Sequence, residues 1–335
     1  MLLFHGGLFA QTTWVVSKSP GFAATFDNLQ EAINDSRVAA GDILLVQGST
    51  VSYGDIEVNK KVIIMGPGYF LDKNPETQVS VLSAQVNTII FKQGSEGSIL
   101  QGVSVVGSLP RVENPGYGWC LGRSVNDFGS YGVELNASKI TLVSNQISGH
   151  LILHNSSFNQ VRNCFLAGCS INDSSINNSI SNNIFTNTVQ INNASFSNNL
   201  VLGVWYGHHF FIKCKLQSNQ ILAAFSDTYC AGNRIAITDC TTSNNLYSWA
   251  IAEGSEDYGS VDFSKEWLGQ GSPDGMYKSK PNSLSAQKNI GPFVGPFPYK
   301  PSGIALHPNI FSVSMPQTAT SGAGLKVEVK VRAND

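Results

Sequence analysis

Between Gly203 and Arg234 the chain gathers most of the reactive side chains of its central part. Trp205, Tyr206, His208 and His209 fall in one short stretch, Asp227, Tyr229 and Arg234 in another, and Lys213 lies between them. The surroundings are nearly uncharged: from Asn163 to Ile212 the one Asp, Glu, Lys or Arg is Asp173. This set suits work on an acidic sugar. A β-elimination needs a base for the proton beside the uronate carboxyl, an acid for the leaving oxygen, and a cation to neutralise the carboxylate. Lys213 or His208 would be the base, Tyr206 or Tyr229 the acid, and Arg234 the neutraliser. Trp205, His209 and Asp227 would line the substrate, since rings lie well against the apolar face of a sugar.

Other chemistries fit these residues less well. A glycoside hydrolase needs two carboxylates about 5–10 Å apart across a groove; the central chain offers Asp227 and Asp239, with Asp239 expected at the far end of its strand. His208, His209 and Asp227 would need a further strong ligand to hold a metal, and adjacent His residues on a loop diverge. No metal and no cofactor are expected. The bland alternative is that Trp205 and Tyr206 cap exposed edges and the His pair is solvated.

Something must hold these residues in place, and a repeat does so. Six phrases recur: Val143–Ile147, Val161–Phe165, Ile180–Ile184, Phe196–Leu200, Gln217–Ile221 and Thr242–Leu246. Each has Asn, then a small or polar residue, then a large apolar one. Aligned on Asn145, Asn163, Asn182, Asn198, Asn219 and Asn244, the steps are 18, 19, 16, 21 and 25 residues. A period near 20 residues indicates a solenoid. Between the Asn positions lie three short, β-branched apolar groups per unit, such as Val189 with Ile191, Phe196, and Leu200 with Val201. None is long enough for a helix. Three strands per turn make one coil of a parallel β-helix, and stacked coils bury a continuous core. Asn at a sharp corner tolerates positive φ. In register about 4.8 Å apart, the six amides are expected to stack in one column as a hydrogen-bonded ladder.

The Ser-Asn-Asn-Ile and Ser-Asn-Asn-Leu phrases resemble the corner between second and third strands of right-handed parallel β-helix proteins of the pectate lyase-like superfamily. Leu29-Gln30-Glu31-Ala32-Ile33 followed by Gly41-Asp42-Ile43-Leu44-Leu45-Val46 is similar to that superfamily's N-terminal entry. The likeness runs over about residues 27–250. It implies a substrate groove on the first strands and their flanking loops, and a host of activities too varied to name one. The acidic calcium cluster, the arginine-centred lyase motifs and the Asp-Asp and Gly-His-Gly motifs of polygalacturonases are missing; Gly207-His208-His209 is a fragment of the last.

The expected organisation follows. Residues 1–10 read as the remnant of a signal peptide, with a short buried strand as the alternative, and 11–41 as a cap whose helix, Asp27 to Arg37, starts in a capping-box-like pair of Asp27 and Gln30. Residues 42–253 are the β-helix, with Val62–Met65, Val79–Leu82, Thr88–Phe91 and Ile99–Val106 among its early strands. Ser108 to Gly132 interrupts the rhythm as a long loop, either functional or packed over a coil wall; Tyr117 and Trp119 would extend the substrate surface if it folds over the same face. A Gly/Pro-rich segment, 254–306, is expected to pack along the wall, and 307–335 to end in a β-hairpin. The tail is similar to the end region of exported β-helix proteins of Bacteroidetes-type bacteria. Gly203–His209 and Ser226–Asn233 both follow a third strand and precede a first strand, so they are expected to be neighbours one coil apart, on one face.

Composition narrows the function. With 13% charged residues and net charge −2 there is no basic stripe for nucleic acid, and no stretch is long and apolar enough to span a membrane. The six Cys fit neither a zinc pattern nor a disulfide framework. Cys214 is expected to point inward as a small apolar residue; a bridge between coils, such as Cys230 to Cys240, is the alternative. Two functions remain: a secreted, periplasmic or cell-surface protein, monomeric, that contacts a polysaccharide or surface glycan without catalysis, and a polysaccharide lyase.

Overall fold

The computed structural model of the protein describes residues 11–19, 21, 23–75, 77–107, 131–202, 209–222, 235–251, 256–304, 309–316 and 324–332. They form a right-handed parallel β-helix. Short strands hydrogen-bond from coil to coil in one ten-stranded and one fourteen-stranded sheet, every pairing in them parallel. The ten-stranded sheet holds the second strand of each coil, from Thr13–Val16 through Ile43–Val46, Gln160–Arg162, Asn178–Ser181 and Ala194–Ser197 to Lys215–Gln217 and Thr241–Ser243. The larger sheet carries two walls. Third strands such as Ile184–Phe185, Leu200–Val201 and Gln220–Ile221 form one; first strands such as Tyr131–Leu135, Val189–Asn192, His209–Ile212 and Ile235–Thr238 form the other. Gln146–Leu153 and Phe165–Ile171 run through both.

A side-chain period of two decides what lies inside. Leu166, Phe185, Val201 and Ile221 point inward from the third wall, Cys169, Val189, Ile191 and Phe211 from the first, and Val161, Ile180, Phe196 and Leu216 from the second, all buried. Phe185, Phe196 and Phe211 stack in the middle with ring centroids 5.7 and 5.2 Å apart. No single strand of two to four residues could bury a face; the stack buries them all.

Leu29–Asn34 is the capping helix, burying Leu29, Ala32 and Ile33. Its N-cap is Asn28, whose side chain accepts from the backbone of Gln30 and Glu31, in place of the expected Asp27. Two strand expectations also shift. Val79–Leu82 is not a strand: Val79, Val81 and Leu82 are exposed, and the strand is Ala84–Val86. Ile99–Val106 is two strands, Ile99–Gln101 and Val103–Val105, because Gly102 turns a corner at φ 65°.

The expected single column of six Asn is two columns. At the corner between second and third strands the residues in the left-handed region are Ser144, Asn163, Asn182, Asn198, Ser218 and Asn244. The buried ladder is the next residue in each coil: Asn145, Cys164, Asn183, Asn199, Asn219 and Asn245, closed by Asp257. Aligned this way the steps are 19, 19, 16, 20 and 26. Each Oδ1 accepts the backbone N–H of the residue one coil earlier, as at Asn183 N to Asn199 Oδ1, 2.9 Å. From Asn183 on, each Nδ2 donates forward to the next Oδ1 and back to a strand carbonyl, as from Asn199 to Asn219 and to Ile180; Asn145 faces the Cys164 sulfur instead. Asn145 and Asn219 thus belong to the ladder, and Asn163, Asn182, Asn198 and Asn244 to the corner.

Those corner amides hold the irregular chain of residues 288–303, which climbs the stack against sequence order. Asn244 donates to the Lys288 carbonyl, Asn182 to those of Pro292 and Val294, and Asn163 to that of Pro298. Phe293, Tyr299, Trp267 and Tyr277 cover the outward faces of Ile184, Leu200 and Phe165. At the top Tyr299 hydrogen-bonds the buried Tyr69 and donates to Asp274 Oδ2, which also accepts from the Ser302 backbone at 2.7 Å. The hairpin, Asn309–Ser314 with Glu328–Arg332, is antiparallel; the Ile310 carbonyl accepts from Val79 N at 3.0 Å, and Ile310, Val313, Val329 and Val331 are exposed.

Candidate functional site: a groove at the first-to-second-strand corner

A second corner, between first and second strands, repeats the same backbone device. Lys139, Phe158, Asn177, Asn193, Lys213 and Asp239 all have positive φ, between 50° and 62°. The residue after each turns inward: Ile140, Asn159, Asn178, Ala194, Cys214 and Cys240. Asn159 and Asn178 make a short ladder of their own, with Asn159 donating to Asn178 Oδ1 at 3.0 Å. Because the inward residues hold the corner, the left-handed residues are free to point out.

Lys213 therefore sits at a corner, one residue past the strand His209–Ile212. It is exposed, and two residues on Lys215 leaves the second wall on the same side. With Ile176, Asn177, Asn178, Ser179, Asn193, Ala194 and Ser195 these lysines line an open groove of about 630 Å³. One coil above Asn177, Phe158 extends the rim, 57% exposed at φ 61°. A bulky aromatic in the left-handed region is strained; the corner of the coil imposes that geometry on Phe158 as on its neighbours in the column. Phe158 to Lys213 spans three coil steps, about 14 Å at strand spacing. The groove thus runs from an apolar end, Phe158 and Ile176, past amides and hydroxyls, to two ammonium groups. Asp239, one coil below Lys213, is the nearest acidic corner residue.

Of the other residues singled out from the sequence, Tyr206, His208, Tyr229, Arg234, Trp205, Asp227, Tyr117 and Trp119 lie outside the described residues. His209 is described, and it does not face solvent. It opens the strand His209–Ile212 with its side chain inward, wholly buried, and its Nδ1 accepts from Val189 N at 3.3 Å. The alternation that turns Phe211 inward turns His209 inward too, which removes it from any substrate surface. The flanks of the two long repeats are described: Leu200–Val201 leads to His209–Ile212, Gln220–Ile221 to Ile235–Thr238, and the two later strands pair.

The first wall carries Glu134, Ile152, Ser170, Gln190, Phe210 and Ala236 in one outward column. Ile152, Ser170 and Gln190 are buried despite facing out, so the wall offers no open groove at those coils. Beside them the buried imidazole of His150, lying over Gly168, is held by desolvation down to about 4. The open cleft is one corner further along the coil. The sequence pattern does not mark Lys215, Asn177, Asn193, Ser179 or Ser195 as site residues, and Phe158, which reads there as one of the apolar groups of its coil, is exposed.

The groove's lining holds no carboxylate. Among the described residues it offers ammonium groups, amides and hydroxyls. Among the described residues no group of three His, Cys, Asp or Glu side chains is placed to hold a metal, and no helix is long and apolar enough to cross a membrane. No protein-family model and no curated protein matches this chain.

Proposed function

We propose that this protein is an exported or cell-surface β-helix that binds an acidic polysaccharide or surface glycan along the corner groove. The observation that carries the reading is the pairing of Lys213 and Lys215 with a cleft of amides and hydroxyls whose other end is the strained, exposed Phe158. Ammonium groups neutralise a uronate carboxylate or a sulfate, Asn and Ser hydrogen-bond ring hydroxyls, and the phenyl ring lies against a sugar face. The resemblance of the tail to exported Bacteroidetes-type proteins supports the location.

The test is direct binding of the full chain to polygalacturonate, alginate and a neutral galactan, followed by calorimetry. Acidic polymers are expected to bind, weakening with salt as exposed charge pairs do, and Lys213→Ala with Lys215→Ala is expected to abolish binding with the melting temperature unchanged. Equal binding of neutral and acidic polymers, or full binding by the double variant, would overturn the reading. Lyase activity is the competing outcome, and ultraviolet absorbance of an unsaturated product from the same polymers reveals it.

A further inference from the structure

Two cysteines sit where the corner ladder would otherwise hold amides. Cys214 and Cys240 are register partners on adjacent coils, since Ile212 pairs with Thr238 and Lys215 with Thr241. Each sulfur replaces an Asn side chain. The Cys240 sulfur accepts the Cys214 N–H at 3.3 Å and donates to the Phe211 carbonyl, just as Asn178 accepts from Asn159 and donates to Ser156. Cys214 in turn donates to the Ile191 carbonyl at 3.2 Å. Each S–H carries one proton, so Cys214 gives it either to the Ile191 carbonyl or to an ionised Cys240. Neighbouring strands lie about 4.8 Å apart, inside the roughly 4.4–6.8 Å between Cα atoms that a disulfide bridges.

Both thiols are free, and they differ in access: Cys214 is 3% exposed, Cys240 half-buried at the coil edge. Cys164 and Cys169 are wholly buried on other columns. We propose that Cys214 and Cys240 are a disulfide-forming pair, a covalent staple between the last two complete coils, closed by exchange with a low-molecular-weight disulfide. The Cys240 thiolate attacks one sulfur of that disulfide and releases the first small thiol. Cys214, giving up its proton, then attacks the Cys240 sulfur of the mixed disulfide and releases the second. Two protein thiols lose two hydrogens, and one small disulfide becomes two small thiols. The order follows from the environment. The hydrogen bond from Cys214 holds Cys240 down to about 7, whereas that same bond and then burial push Cys214 up. The exposed partner is the attacking thiolate, and the shielded one the resolver. The bridge closes a 26-residue loop that contains the longest repeat, where the stack has fewest coils left to hold it.

The experiment treats the reduced full chain with oxidised glutathione at neutral pH, digests it without reduction and maps the linkages. The expected result is a Cys214–Cys240 cross-linked peptide, an intact mass lower by two hydrogens, and a melting temperature raised by several degrees that dithiothreitol restores. Cys240→Ser is expected to melt identically before and after treatment. A stable glutathione adduct on Cys240 with Cys214 free, a bridge from Cys230 instead, or two untouched thiols would each overturn the proposal. Should Cys240→Ser fail to fold, the linkage map of the unaltered chain decides alone.

Discussion

Two adjacent Asn residues in one phrase do different work, and substitution separates them. Asn183 in the ladder serves the Cys164 N–H, Asn199 and the Val161 carbonyl, all buried. Asn183→Ala strands those groups, at about 1–3 kcal/mol each, and is expected to lower the melting temperature sharply. Asn182, at φ 55°, gives the corner its backbone and the wall segment two bonds. Asn182→Gly keeps the corner and is expected to cost about 1 kcal/mol. Thermal melts of the pair check the ranking; equal losses would contradict the two-column assignment. Cys164 is the one sulfur in the amide ladder, accepting from Asn145 N at 3.4 Å. Cys164→Asn completes the ladder and is expected to stabilise by about 1 kcal/mol.

Titration at single residues gives the fold two pH limits. Neutral burial holds His150 at about 4 against an ordinary 6.5. The unfolded chain takes up that proton first as pH falls, so this contribution is complete above 6.5 and is lost as pH drops towards 4, by at most about 3 kcal/mol. Burial raises Tyr69 and Tyr299 well above 10. Their contribution is complete below pH 10 and declines as pH rises beyond it, because only the unfolded chain releases those protons there. Denaturant melts across pH are expected to flatten on the acid side in His150→Leu and keep their alkaline limb.

At the scale of elements, the wall segment is a strap fastened by corner amides below and a tyrosine–aspartate pin above. Its last turn depends on Gly303, at φ 52°, where an added β-carbon would meet the Tyr69 ring and lie 2.7 Å from the Ser144 carbonyl. Gly303→Ala is expected to free the upper end of the strap while the coils stay intact. Hydrogen exchange should then rise in residues 288–303 and stay slow in the buried strands; unchanged exchange in the strap would show that the pin is not what holds it.

Over the whole molecule, a stack of short parallel strands supplies a rigid, nearly neutral wall, and the groove is its charged interruption. If the groove binds an acidic polymer as proposed, each single alanine variant of Lys213 and Lys215 is expected to weaken that binding several-fold, and Phe158→Ala to weaken acidic and neutral ligands alike. Binding isotherms at two salt concentrations distinguish the contributions: the lysine effects shrink with salt and the phenylalanine effect does not.

The sequence by itself determined the solenoid. Its 20-residue period, its three apolar groups per unit and its Asn-rich corners are local signals, and each leaves a mark in the order of residues. The capping helix and the terminal hairpin were legible for the same reason. Which Asn of a pair turns the corner and which enters the core was not, because the two differ by one position and the phrase pattern tolerates either; hydrogen bonding between coils settles it. His209 reads as a loop histidine beside His208, and only the pairing of its strand with Val189–Asn192 shows that it faces the core. The groove was hidden for a related reason. Phe158, Asn177, Asn193 and Lys213 stand 19, 16 and 20 residues apart in a chain full of Asn and Ser, and nothing local links them. Stacking coils about 4.8 Å apart turns those separations into contact, so the surface is a property of the tertiary structure.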